Sequence, residues 1–239
     1  MTIAYDGTQF HGWQVQPGLP TIQGVLEKII GGIAGRPVHV AGSGRTDAGV
    51  HAVGQVAGCT IDNPIPLMNF ERAVNRLAPP AIRVLSVEEV SPNFHPRFDA
   101  VAKTYEYRIV RTPVCSPFEW AWVHHHPYPL DEQAMIRAAR RLEGEHDFTH
   151  YAAADERDAE QRSKVRTIFE SRLARVDDRL IYRVRGNGFL KHMVRNIMGT
   201  LIEVGRGNIG AEAIPAIKKC GQTAPAKGLT LVSVEYPGT

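Results

Sequence analysis

The side chains best suited to take part in a reaction lie in one glycine-rich stretch, AGSGRTDAGVHAVGQV, at positions 41–56. This stretch places a carboxylate, Asp47, two residues after the cation Arg45, with Gly44 and Gly49 nearby. Glycine lets a backbone adopt positive φ or approach a ligand closely, and a carboxylate that donors keep ionised can act as a nucleophile. The pattern therefore indicates a site for a polar ligand. A local turn hydrogen bond of Asp47 is the alternative explanation.

Two other segments carry possible partners of this carboxylate. Arg195 interrupts the apolar run GFLKHMVRN, where a buried guanidinium would cost free energy unless it were paired. A side chain that reaches the surface is the alternative. Tyr105 and Tyr107 alternate along TYEY, so a strand would present both rings on one face. One ring could stack on a base, which contributes about 1–3 kcal/mol per base, or both could cover the core.

Patterns typical of metal sites, nucleotide cofactors and disulfide frameworks are missing from the sequence. The histidine run at 124–126 has no acid or cysteine pattern beside it to complete a ligand set. Neither the GxxxxGK[ST] phosphate loop nor a strand–GxGxxG–helix unit occurs. The three cysteines are odd in number and far apart: Cys59, Cys115 and Cys220. We therefore expect a protein that needs no cofactor and no metal.

Hydrophobic periodicity predicts the elements that must position the candidate residues. Strands are predicted at 2–5, 37–42, 50–61, 81–90, 101–112, 164–176, 180–187 and 229–237. Helices are predicted at 21–35, with Thr21 as its N-cap, and at 66–79, 131–146, 188–207 and 211–221. Asp47 would then lie in the turn between two strands, and Asp177-Asp178 would close a hairpin.

The mixture of strands, helices and hairpin-like connections favours an α+β fold. We expect a mostly antiparallel central sheet with helices on one face. The proline-rich connection at 113–129 is the best internal boundary. It divides an N-terminal α+β half, 1–112, with Asp47 and Tyr105, from a C-terminal half, 113–239, with Arg195, and the two would form one continuous catalytic unit.

The charge distribution permits a polyanionic partner. Net charge is +3, from 28 Lys and Arg against 25 Asp and Glu. Many basic residues gather in the second half: Arg157, Arg162, Lys164, Arg166, Arg172, Arg175, Arg179, Arg183, Arg185, Lys191 and Arg195. Acids are interspersed, so a solvated face is the alternative. No apolar run is long enough for a membrane helix, and the first residues lack the basic start of a signal peptide, so a cytoplasmic location is expected.

Several blocks of the chain, in the same order, resemble the TruA-type tRNA pseudouridine synthases. These blocks are AYDGTQFHGWQVQ, GSGRTDAGVHAVGQV, FHPRFDAVAKTYEYRI, GEHDFTHY, GFLKHMVRNIMGTLIEVGRG and GLTLVSVEY. The resemblance covers almost the whole chain, and GRTDAGVHA is a highly specific signature. It implies two halves that resemble ferredoxin-like or RNA-recognition modules around a catalytic cleft, and a homodimer.

The resemblance also implies an activity and roles for three of the candidate residues. The expected reaction converts uridine to pseudouridine at positions 38–40 of the tRNA anticodon stem-loop, after the target base has left its helix. Asp47 matches the family nucleophile, Arg195 the arginine that forms a salt bridge with it, and Tyr105 the tyrosine that contacts the target base.

Three further positions receive weaker assignments from the same resemblance. Arg45 matches a basic residue that assists admission of the flipped nucleotide. Leu229 or Leu231 matches an apolar residue near the uracil. Differences in the loop at 152–163 are expected to affect which tRNAs are accepted.

Two alternatives of other classes stay open at this point. A non-catalytic RNA-binding α+β protein would explain the basic stretch and the tyrosines, although it leaves the glycine-flanked Asp47 without a purpose. A hydrolase or glycosyl transferase with an aspartate nucleophile would need a second carboxylate as general acid, and no motif offers one.

Overall fold

The structure is a computed structural model that describes residues 1–62, 64–154 and 163–238. These residues form four α-helices, ten strands and several short 3₁₀ turns, which confirms the α+β class. Contacts group the chain into two compact units, Met1–Val101 with Thr230–Thr239 and Ala102–Leu229, called here the first and the second unit. The strand at 102–110 belongs to the second unit, and most of the last strand belongs to the first.

The first unit combines strands and two helices. Its strands are β1 (Thr2–Tyr5), β2 (Ala41–Gly42), β3 (His51–Gly58), β4 (Ile82–Ser86) and, from residue 230, β10 (Leu229–Glu235); its helices are α1 (Ile22–Ala34) and α2 (Leu67–Leu77). The strand β1 pairs antiparallel with β3 and β4, and β2 pairs antiparallel with β3. The β3–β10 pairing is parallel, with Thr230 opposite His51.

The second unit contains a mainly antiparallel set of strands. Its strands are β5 (Ala102–Val110), β6 (His124–His125), β7 (Gly144–Asp147), β8 (Val165–Val176) and β9 (Arg179–Gly186); its helices are α3 (Glu132–Arg140) and α4 (Met193–Gly205). The strand order β5-β9-β8-β7 is antiparallel throughout, and β6 adds a parallel pairing to β5. Helix α3 packs against α4 and β8.

Alternation along the strands decides which side of each becomes core. On β9, Leu180, Tyr182 and Val184 are buried, whereas Arg183 between them is exposed. Because successive strand residues point to opposite faces, one face of β8 and β9 is apolar and the other is polar. The predicted hairpin between them is confirmed, with Asp177 in its turn at φ 52°.

The boundaries of α1 follow its sequence signals. Thr21 accepts a hydrogen bond from the Gly24 amide and caps the N-terminus, as predicted. Gly35 ends the helix in the left-handed conformation, where glycine carries no Cβ penalty.

Two predicted elements of the second unit are wrong in their extent. The helix expected at 211–221 is only a 3₁₀ turn, Ala211–Ala213, because Pro215 has no amide hydrogen with which to continue it. The helix expected at 188–207 begins only at Met193, because His192 adopts a left-handed φ of 60°.

Two further boundaries depend on contacts that periodicity cannot show. The helix expected at 131–146 ends at Arg140, and the following residues supply strand β7. The strand expected at 37–42 pairs only at Ala41–Gly42. Its preceding residue Val40 bonds instead to α1, since its amide donates to Glu27 Oε1 and its carbonyl accepts from Gln23 Nε2.

Part of the basic stretch lies outside the described residues. This applies to Arg157 and Arg162, and to most of the loop at 152–163 that was expected to affect tRNA selection. In the ranges that are described, no helix is long and apolar enough to cross a membrane.

Candidate functional site

The loop between β2 and β3 carries Asp47, as the sequence predicts. Arg45 is exposed in this loop, Asp47 is half-buried and Thr46 between them is buried. The Val50 amide donates to the Asp47 carbonyl (3.1 Å), which closes a turn. Asp47 therefore begins a tight turn, and its neighbour Thr46 is held inside the protein.

Hydrogen bonds of buried side chains fix the part of the loop that precedes Asp47. The Thr46 hydroxyl lies 2.8 Å from the Tyr5 hydroxyl, and both groups are buried. The Ser43 hydroxyl donates to Gln55 Oε1 (2.6 Å), while Gln55 Nε2 donates to the Gly44 carbonyl (3.0 Å). Since a buried polar group without a partner is costly, these bonds specify one conformation of the loop.

The segment 5–13, from the first block of the family resemblance, forms the support of the loop. The Trp13 amide donates to the Thr46 carbonyl (3.0 Å), and the Gly49 amide donates to the Phe10 carbonyl (3.3 Å). No role was predicted for this segment from the sequence, although its glycines and aromatic residues could have indicated a close packing contact.

Close backbone approach explains two glycines of this support. A Cβ on Gly7 would lie 2.0 Å from the Val50 carbonyl oxygen. A Cβ on Gly12, whose φ is +87°, would lie 2.5 Å from the Thr46 carbonyl oxygen. Neither position has room for a side chain, so both glycines are needed to seat the loop against segment 5–13.

Arg195 lies in the first turn of α4, where its neighbours Val194 and Asn196 are buried. Its side chain is half-buried, and Nε donates to the Ala224 carbonyl (2.9 Å), while the Ala224 amide donates to the Arg195 carbonyl (3.2 Å). The two bonds with Ala224 hold the backbone and the side-chain Nε of Arg195, so the position of the guanidinium group is restricted.

Tyr105 and Tyr107 lie on β5, as predicted, and both are buried. Phe189 contacts Tyr105 edge-on, with the ring centroids 5.1 Å apart. Tyr107 is fully buried and donates its hydroxyl to the Pro225 carbonyl (2.8 Å). The second tyrosine of the motif is thus bound to the segment that precedes β10.

The two leucines on β10 differ in their surroundings. Leu229 belongs to the second unit and is 5% exposed, whereas Leu231 belongs to the first unit, is fully buried and pairs with Ala52 of β3. The structure thus places Asp47, Arg45 and Leu231 in the first unit, and Tyr105, Arg195 and Leu229 in the second.

The histidine run at 124–126 has structural contacts of its own. His125 Nε2 lies 2.9 Å from the Thr112 carbonyl oxygen. The two ring nitrogens of His126 each lie 3.2 Å from a guanidinium nitrogen, one of Arg111 and one of Arg206. In the described part of the chain, no three His, Cys, Asp or Glu side chains cluster as a metal site.

A row of arginines covers the polar face of β5, β9 and β8. Arg183 lies opposite Glu106 on one neighbouring strand and opposite Arg172 on the other, so all three side chains share this face. The side chains of Arg172 and Arg183 are 73% and 45% exposed, so solvent and a partner can reach both. We call this surface, which also carries Arg185, the arginine face.

A β-bulge adds an aromatic ring to the arginine face. The register shifts between Ile168 and Glu170, so Phe169 and Glu170 both point away from the core. The Arg185 guanidinium lies over the Phe169 ring, 5.0 Å from its centroid. Sequence alternation alone would have placed Phe169 and Glu170 on opposite sides.

Comparison with known proteins gives one consistent answer. A family model described as tRNA pseudouridine synthase matches residues 1–99 and 138–237. The tRNA pseudouridine synthase A of Solibacter usitatus is 70% identical over 235 residues, which cover 98% of this chain and 97% of that protein. Proteins of the same description from Brevibacillus brevis and Halalkalibacterium halodurans are 43% and 42% identical, over 98% and 96% of this chain and 97% and 89% of their own lengths.

Proposed function

The chain belongs to the family of tRNA pseudouridine synthases, isomerases that act on tRNA, and on that premise we propose that it modifies uridines 38–40 of the anticodon stem-loop with Asp47 as nucleophile. The observation that carries the proposal is the fixed loop of Asp47. Buried bonds of Ser43 and Thr46 and the backbone bond of Gly49 hold the loop, so the carboxylate needs little reorganisation to react.

The reaction replaces the N–C glycosidic bond of a uridine by a C–C bond within the same nucleotide. Atoms and electrons balance without a redox carrier or a nucleoside triphosphate. The uracil has to detach, turn and rejoin without escaping. A carboxylate in a fixed loop can act in the bond-breaking step, whether by attack at the sugar C1′, by formation of a glycal or by attack at uracil C6.

The remaining site residues have proposed roles that rest on their motif match. Arg195 keeps the carboxylate of Asp47 ionised, and its tethered Nε supports a defined guanidinium position. Tyr105 contacts the target base, and Arg45, which is exposed, assists its admission. Leu229 is the better candidate for the uracil contact, because Leu231 is fully buried.

A uridine stacked in a stem cannot reach a carboxylate, so the target base must flip out, at a cost of a few kcal/mol. Phosphate contacts with the arginine face can offset this cost. Such contacts suit an A-form stem, which is recognised through its shape and backbone more than through its bases. The side chains of Arg172 and Arg183 are exposed, so both can contact the phosphates of such a stem. A homodimer in the cytoplasm completes the proposal, and light scattering that found only a monomer would contradict the dimer.

We expect the purified protein to form pseudouridine at positions 38–40 of unmodified tRNA in a buffer without added metal or cofactor. Chemical mapping of pseudouridine measures the product. Asp47→Asn should lower kcat by more than about 10⁴-fold, as removal of a nucleophile does elsewhere, with little change in tRNA affinity. Asp178→Asn, in the turn between β8 and β9, is the control and should keep wild-type turnover.

Other outcomes of this experiment would favour other functions. Tight tRNA binding without product would indicate a non-catalytic RNA-binding protein. Release of free uracil would indicate a hydrolase. Product formed by Asp47→Asn at a substantial rate would contradict the role of Asp47.

A further inference from the structure

The hydroxyl of Tyr107 makes a specific contact within a fully buried setting. It donates to the Pro225 carbonyl (2.8 Å), far along the chain from β5. Burial raises the pKa of Tyr107, and the nearby charge of Arg195 only partly opposes this. The phenol therefore keeps its proton and acts as a permanent donor to the segment before β10.

The same segment closes tightly against the ring of Tyr107. A Cβ on Gly228 would lie 2.6 Å from the ring carbon Cζ and 2.8 Å from Cε1. The Gly228 amide also approaches the Pro225 carbonyl oxygen (3.4 Å), so this oxygen faces two donors. Hydroxyl and ring together determine the path of the backbone from Pro225 to Gly228.

Both ends of the segment lead to proposed site residues. At its start, the Ala224 amide donates to the Arg195 carbonyl, and the Ala224 carbonyl accepts from Arg195 Nε. At its end, Gly228 is followed directly by Leu229, the first residue of β10. A shift of the segment would therefore move the guanidinium of Arg195 and the side chain of Leu229 together.

We infer that Tyr107 is a positioning residue for pseudouridine formation, which acts through residues 224–228 on Arg195 and Leu229. The inference rests on the proposed roles of these two residues. It assigns to the second tyrosine of TYEY a task different from that of Tyr105. Tyr107 does not touch the substrate, and its hydroxyl affects turnover by holding the residues that do.

The test is Tyr107→Phe, compared with a matched control on the adjacent strand. Tyr182 is the cross-strand partner of Tyr107, is equally buried, and its hydroxyl lies 2.9 Å from the Ser171 hydroxyl. Tyr107→Phe should lower kcat by about 10- to 100-fold, as a small misplacement of reacting groups does, with an unchanged KM for tRNA. Tyr182→Phe should lower the melting temperature similarly and leave kcat unchanged.

Equal kcat values for the two variants would overturn the inference. In an Arg195→Lys background, Tyr107→Phe should have little further effect, because both changes disturb the same group; additive losses would also count against it. If Tyr107→Phe does not fold, Gly228→Ala tests the same segment from the other side and should lower kcat. Failure of the proposed function itself would appear separately, as undiminished turnover of Asp47→Asn.

Discussion

At the scale of single residues, the reactivity proposed for Asp47 would depend on buried groups that hold its loop. The Thr46 hydroxyl points inward to Tyr5, and the next residue, Asp47, is half-buried. An aspartate in a mobile turn would have to be ordered in each catalytic cycle, and that ordering would cost conformational entropy. The buried contacts order the loop during folding, so this entropy is already lost before the substrate binds.

Gly12 offers a test of this view, because a nearby glycine provides the control. Gly12→Ala places a Cβ 2.5 Å from the Thr46 carbonyl oxygen at a φ of +87°. We expect the free energy of unfolding, measured with urea, to fall by about 2–4 kcal/mol, and kcat to fall because the Asp47 loop is displaced.

Gly18→Ala separates backbone strain from the contact with the loop. Gly18 has a similar φ of +73°, but no atom of the residues that the structure describes lies within 4 Å of the added Cβ. Its substitution should cost only about 1–2 kcal/mol and leave kcat unchanged. Equal effects of the two substitutions on kcat would show that the contact between Gly12 and Thr46 does not matter for catalysis.

At the scale of elements, β6 shows how a short strand can depend on pH. It adds His124 and His125 to the edge of β5, with the His124 ring edge-on to Tyr107 at a centroid distance of 6.1 Å. Burial, followed by the nearby charges of His126 and Lys227, lowers the pKa of His124 to about 4. Within the described residues, His124 Nδ1 is buried without a hydrogen-bond partner.

Acid should therefore destabilise the second unit through His124. In the unfolded chain, His124 is protonated below about pH 6.5. In the folded protein its lowered pKa delays protonation until about pH 4. The contribution of neutral His124 to the free energy of unfolding is thus fully present above pH 6.5 and is lost as the pH falls from 6.5 to 4. Urea unfolding at pH 7.5 and 4.5 should show a larger loss for the wild type than for His124→Gln, by up to about 3 kcal/mol. The same loss in both proteins would contradict this account.

At the scale of the whole molecule, each unit contributes a different part of the proposed chemistry. The first unit holds the carboxylate in a fixed loop, and the second holds Tyr105, Arg195 and the arginine face. The first unit is built from both ends of the chain, because the last strand, β10, pairs with β3. The second unit therefore lies between two parts of the first unit in the sequence. The arginine face therefore has to be tested in the full chain.

The double variant Arg172→Gln/Arg183→Gln should weaken tRNA binding without affecting the chemical step. Each lost phosphate contact removes nearly one unit from the slope of log K against log salt, so the slope should decrease by about 2. Filter binding at several salt concentrations measures it. Arg137→Gln/Arg140→Gln on α3 removes the same charge elsewhere and should leave the slope unchanged. Equal slopes for the two double variants would show that tRNA does not use this face.

What the sequence by itself determined is local: the Thr21 cap, the hairpin at Asp177-Asp178, the strand with Tyr105, and the turn with Asp47. Each depends on neighbours within a few residues, where periodicity and turn chemistry act. The family also follows from motif blocks in sequence order.

Only the tertiary structure decided which distant groups support the site. The bonds from Thr46 to Tyr5 and from Tyr107 to Pro225 join positions 41 and 118 residues apart. The outward orientation of Phe169 arises from a register shift. The late start of strand β2, at Ala41, arises from the bonds of Val40 to helix α1. Such contacts leave no periodic signal, because hydrogen-bond geometry between distant segments exists only after the chain has packed.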